Sequence, residues 1–155
     1  MSTAYDEVRY PTFSHAQLHP DRLAVPAWLM GLSPAPAESC RYLELGCADG
    51  GTISALAMAL PDSEFVGVDL ASTAVLRGRN TAAAVGIGNL TLVEADLADL
   101  PDDLGDFDYV VSHGVFSWVP EVARLGSCGP AATGCGPRAW PTSATTPTRP
   151  ASCGR

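Results

Sequence analysis

The residues best suited to chemistry gather around one short turn, Gly46-Cys47-Ala48-Asp49-Gly50-Gly51. Glycines there permit unusual backbone angles and let a ligand approach the main chain. A helix that follows directly offers free N–H groups. Three carboxylates frame the turn. Glu44 stands two residues before Gly46, Asp69 comes 23 residues after it, and Asp96 follows in Glu94-Ala95-Asp96-Leu97. A carboxylate at the end of a second strand can accept two hydrogen bonds from ribose hydroxyls. One after a third strand can accept a bond from an adenine amino group. Glu44 can bond to the loop and to a cationic amine. Three acids around one crevice suit an adenosine ligand carrying positive charge better than one carrying a pyrophosphate. Gly46-x-Ala48-x-x-Gly51 is also a degenerate dinucleotide fingerprint, so a nicotinamide dinucleotide, or no more than a tight strand–helix turn, stays open here. A Walker A loop is excluded, because the chain has no Lys.

These groups need a sheet to bring them together. The run 41–45 predicts a strand, and 52–60 an apolar helix stopped by Pro61. Residues 64–69 predict a second strand. Ser72 can cap a helix running to Val85, with Gly86 as its stop. Residues 90–94 predict a third strand, and 106–112 lead into a fourth. Strands alternating with helices at this spacing imply right-handed βαβ units and a parallel sheet. Its apolar strands fit burial on both faces, and its ligand would sit at the carboxyl ends of the strands. Upstream, a helix is expected from about 20 to Met30, with Pro20 in its first turn, Pro26 bending it and Gly31 beyond its end. A Pro/Ala linker follows.

Charge divides the chain of 155 residues. All 17 acids lie at or before Glu121, with only five Arg beside them, so residues 1–121 carry −12 and residues 122–155 carry +4. The acidic head argues against an electrostatic grip on nucleic acid. No apolar run reaches the ~18 residues of a membrane span, and the N-terminus lacks the basic-then-apolar pattern of a signal peptide. The expectation is therefore a cytoplasmic protein. None of the five cysteines has CxxC spacing, so no metal is expected. His15 and His19, at i,i+4 spacing, have no evident third ligand.

The segment 44–50, Glu-Leu-Gly-Cys-Ala-Asp-Gly, resembles the first motif of class I S-adenosylmethionine-dependent methyltransferases, acid-x-Gly-x-Gly-x-Gly, with Ala48 where the middle glycine stands. Asp69 and Asp96 match the family's ribose- and adenine-binding positions. More narrowly, the chain is similar to bacterial methyltransferases that carry a regulatory domain after the catalytic one. The matching stretches are Tyr10-Pro11 near 17–24, the first motif, 65–70, and 107–120. The resemblance covers about residues 5–124. It implies a Rossmann-like, doubly wound α/β sheet of order 3-2-1-4 with an N-terminal helical segment. It implies S-adenosyl-L-methionine as cofactor, held by Glu44, Gly46, Cys47, Ala48, Gly50, Asp69, Leu70, Asp96 and Leu97. It implies methyl transfer to an unidentified acceptor by in-line attack on the sulfonium methyl. His113, just past the fourth strand, is the best-placed titratable candidate for a proton acceptor. The rival readings are a non-catalytic adenosine-binding fragment and an NAD-dependent oxidoreductase fragment. Plainer roles stand beside the sharp ones. Asp69 could cap a helix, Asp96 could belong to a surface acidic loop, Cys47 could merely be small, and Phe116 and Trp118 could simply pack.

The expected division is 1–36 for the N-terminal segment, 37–124 for the cofactor-binding core and 125–155 for a tail. Of the tail's 31 residues, 23 are Gly, Pro, Ala, Thr or Ser. Such a composition buries too little to offset its ordering entropy, so disorder is expected. The core would then stop after four strands and leave an incomplete, inactive form with strand 4 as a bare edge. Read in a shifted frame, residues 138–149 permit a segment similar to the family's fifth strand, so a frameshift is expected.

Overall fold

Alternation along the strands builds a sheet with two buried faces. In β1 (Arg41–Leu45), Tyr42 packs into one core cluster, and Leu43 and Leu45 into another. In β2 (Glu64–Asp69), Phe65 joins the first, and Val66 and Val68 the second. β4 (Tyr109–Ser112) repeats the pattern with Tyr109 and Val111 against Val110. The period of two follows from the pleat, and burial on both faces is what a parallel sheet requires. This computed structural model describes residues 11–115 and the backbone of 140–143.

The helices are α1 (Pro20–Leu29), α2 (Gly51–Ala59) and α3 (Ser72–Ala84). Ile53 and Leu56 of α2 and Val75 of α3 fill the first cluster beside Tyr42 and Phe65. Leu97, with partly buried Leu100, Leu104 and Phe107, closes the second. α1 starts at Pro20 as expected, and the His19 side chain accepts from Asp21 N at 3.3 Å. Ser72 is the first residue of α3 rather than its cap. The cap position falls to Ala71, whose N–H is taken by Asp69. Among the described residues, no helix is long and apolar enough to cross a membrane.

All strand pairs are parallel, and β3 (Leu90–Glu94), β2, β1 and β4 lie side by side in the expected order 3-2-1-4. A fifth strand, β5 (Trp140–Ser143), pairs with β4 in register Tyr109↔Trp140 to Ser112↔Ser143. The four expected strands are all present in the order 3-2-1-4, and the pairing at Trp140–Ser143 adds a backbone ladder on the far side of β4. A ladder is made by the backbone, whatever side chains stand beside it. The open edge of β4 offers unpaired N–H and C=O groups to any extended segment. Pro141, which lacks an N–H, is tolerable because β5 is an edge strand. The rest of the tail, including its three cysteines, lies outside the described residues, as do Tyr10, Phe116 and Trp118.

One side chain fastens the end of α2. The Asn89 amide donates to the carbonyls of Ala57, Leu60 and Ser63 at 2.8 to 3.1 Å. The last carbonyls of a helix have no partner of their own. Asn89→Ala should therefore lower stability by about 1–3 kcal/mol, seen as an earlier urea midpoint with an unchanged slope.

Candidate functional site

The chain leaves β1 by clinging to β2. Gly46 N and Cys47 N both donate to the Val68 carbonyl, at 2.7 and 3.1 Å, and Gly50 N closes the turn onto Cys47 O at 2.8 Å. This path needs left-handed backbone. Gly46 has φ +72°, and a methyl there would collide with the Val115 side chain. Ala48 has φ +51° without being a glycine, which costs on the order of 1–2 kcal/mol. Its N–H is held at 2.7 Å by Asp69 Oδ2, and this bond offsets part of that cost.

The parallel order sets the carboxyl ends of four strands in a row: Leu45 opposite Val68 and Ser112, Val68 opposite Val93. Glu44 stands at this end of β1, only 6% exposed. Its Oε2 is buried without a hydrogen-bond partner. Burial first, and then the Asp69 carboxylate, pushes its carboxyl up to about 8. Asp69, half-buried at the end of β2, bridges two backbone segments: Oδ2 takes Ala48 N, and Oδ1 takes Ala71 N at 2.9 Å. It thus serves as a loop clamp and local cap. A carboxylate has about four acceptor positions, so capacity remains for a diol. Leu70 beside it is half-buried.

Asp96, exposed after β3, accepts from Ala98 N at 2.9 Å through Oδ1. Leu97 turns inward to the second cluster. Cys47 packs over Gly67, which has no side chain to block it, and burial pushes its thiol well above the ordinary range. That environment is inert. His113, half-buried past β4, lies with its ring 4.2 Å from that of His15. Burial and then His15 hold it below the ordinary imidazole value. His15 and His19 are thereby put to separate uses, one on His113 and one at the start of α1. Among the described residues, no three metal-ligating side chains converge. Thr12, Asp49 and Arg77 also meet at the loop, and no local pattern pointed to them.

Residues 43–127 match a family described as a methyltransferase domain. The uncharacterized protein RP789 of Rickettsia prowazekii is 38% identical over 120 residues, which is 77% of this chain and 22% of that protein. The tRNA (guanine-N(7)-)-methyltransferase of Chloroflexus aggregans is 38% identical over 78 residues, 50% of this chain and 34% of that enzyme. The structure of PKMT2 from Rickettsia typhi in complex with AdoHcy matches with a TM-score of 0.79 at 31% identity, over 84% of this chain and 25% of that one. This chain thus spans about a fifth to a third of the length of these relatives.

Proposed function

The chain belongs to the class I S-adenosylmethionine-dependent methyltransferases, and from that premise we propose that its acid-lined turn binds S-adenosylmethionine for methyl transfer to an acceptor other than a nucleic acid. The observation that carries this is the pair Glu44 and Asp69. One has a buried oxygen without a partner, and the other has acceptor capacity to spare, at the carboxyl ends of adjacent strands.

Asp69 receives the ribose hydroxyls while its two backbone bonds keep it oriented. Asp96 accepts from the adenine amino group, with Leu70 and Leu97 flanking it. The main chain of Gly46, Cys47, Ala48 and Gly50 lines the approach. Glu44 answers the positive charge. When bound, the cofactor supplies an electrophilic methyl on a sulfonium, and the protein contributes position and exclusion of water. His113 is held in its neutral form near pH 7, the form that takes a proton from a hydroxyl nucleophile or from an ammonium to free its amine for attack. The −12 charge over residues 1–121 disfavours a polyanionic acceptor.

Calorimetry with S-adenosylmethionine, AdoHcy and NAD is the test. Both adenosyl ligands should bind and NAD should not. Binding of NAD alone would overturn the reading, and AdoHcy binding without transfer to a broad acceptor panel would make the chain a binding module.

A further inference from the structure

The loop carries a second set of contacts that the three acids do not use. Asp49 sits in the middle of the turn with its side chain 12% exposed. Its Oδ2 accepts from Thr12 Oγ1 and lies 3.4 Å from both Nε and Nη2 of Arg77 in α3. Thr12 and Asp49 are 37 positions apart, and Arg77 is another 28 beyond.

The backbone closes around the same point. Residues 12–15 run across the start of α2. Thr52 Oγ1 donates to Phe13 O at 3.3 Å and accepts from His15 N at 3.3 Å. Gly51 allows this crossing, because a methyl there would strike Thr12 and the Phe13 carbonyl. On the other side, a methyl on Gly78 of α3 would strike the Asp49 carbonyl oxygen. Beyond the crossing, the His15 ring rests on His113. The segment 12–15 is thus a strap, held at the loop by Thr12, at α2 by Thr52 and at the end of β4 by His113.

Of these fastenings, the one at Asp49 is charge-assisted, and such bonds are the strong ones. Arg77 matters through orientation. It engages the same oxygen that receives Thr12, so the hydroxyl meets an acceptor already fixed in place. The fastening at Thr52 joins neutral groups.

We propose that Asp49 is a positioning residue, whose single carboxylate oxygen latches the strap of residues 12–15 to the cofactor loop and ties both to α3, so that cofactor leaves only when the Thr12–Asp49 bond opens. The release step rests on the cofactor reading above.

Two variants and two readouts test it. Thr12→Val removes the hydroxyl and keeps the shape of the side chain, and Thr12→Ser keeps the hydroxyl. Thr12→Val should raise the AdoHcy dissociation rate about tenfold, the loss of one bond to a charged group, with association changed by less than about twofold. Deuterium uptake at residues 12–15 should quicken in the free protein. Thr12→Ser should restore both. Wild-type dissociation and uptake in Thr12→Val, or a serine variant no better than the valine one, would overturn the proposal. If AdoHcy fails to bind the unaltered chain, the cofactor reading and the release step fall together, while the uptake comparison still decides whether the latch exists.

Discussion

Asp69→Ala is expected to abolish cofactor binding. Two losses coincide. The ribose hydroxyls lose their acceptors, each such bond to a charged group being worth about 1.5–3 kcal/mol. The Ala48 N–H, held at 2.7 Å by Asp69 Oδ2, also loses its partner. Ala48 then has left-handed backbone at φ +51° with nothing to hold it there, and the turn relaxes toward an ordinary conformation. The combined effect is a weakening of about 100-fold or more. Asp69→Asn separates the two parts, since its one remaining oxygen can still take a backbone N–H while the negative charge is gone. Ala48→Gly in the Asp69→Ala background should recover the loop and not the ribose contacts, so stability returns and affinity does not. Calorimetry beside thermal melts reads both. An unchanged affinity in Asp69→Ala would remove Asp69 from the site.

Glu44→Gln is expected to act in opposite directions on folding and on binding. An acid whose folded-state value lies at about 8, above its ordinary 4.5, binds a proton in the native state that the unfolded chain has lost. Stability from this group therefore falls as pH rises from 4.5 towards 8. Glutamine carries no such burden, so the variant should melt higher than the unaltered chain at pH 8 and nearly alike at pH 4.5. Binding goes the other way. The cation of the cofactor favours the ionised carboxylate, and its loss should weaken affinity about 10- to 100-fold. The two effects share a signature. If Glu44 is protonated in the free protein and ionised in the complex, binding at pH 7 releases a proton. The calorimetric enthalpy then differs between phosphate and Tris buffers in the unaltered chain and not in Glu44→Gln. The neighbour that acts on Glu44 through charge is Asp69, and Glu44 in turn raises Cys47 and Tyr42. Burial and Glu44 hold the Tyr42 phenol and the Cys47 thiol well above their ordinary ranges, so both keep their protons near pH 7 and Glu44 is the group that yields one. A buffer-independent enthalpy with intact binding would refute this.

The parallel order and the position of the turn were legible in local pattern. Alternating strands and helices allow few topologies, and a glycine turn between the first strand and its helix carries its own backbone demand. Asp69 does more than spacing along the chain can express. Helix capping and ligand binding are alternatives for this carboxylate in sequence, yet in the fold its oxygens serve two backbone N–H groups with positions left over. The pairing of Trp140–Ser143 with β4 is not visible in composition for a related reason. Composition speaks for side chains, and a parallel ladder asks only for an extended backbone beside an open edge.

Local pattern alone therefore accounts for the βαβ succession, the glycine turn and the spacing of Glu44, Asp69 and Asp96. These follow from periodicity and backbone sterics over a few residues. Long-range packing alone accounts for the rest. It buries Glu44 and raises its carboxyl, hands the Ala48 N–H to Asp69, lays His15 on His113, and joins Thr12 to Asp49 across 37 positions. Burial and through-space charge are properties of the folded neighbourhood, and no spacing along the chain encodes them.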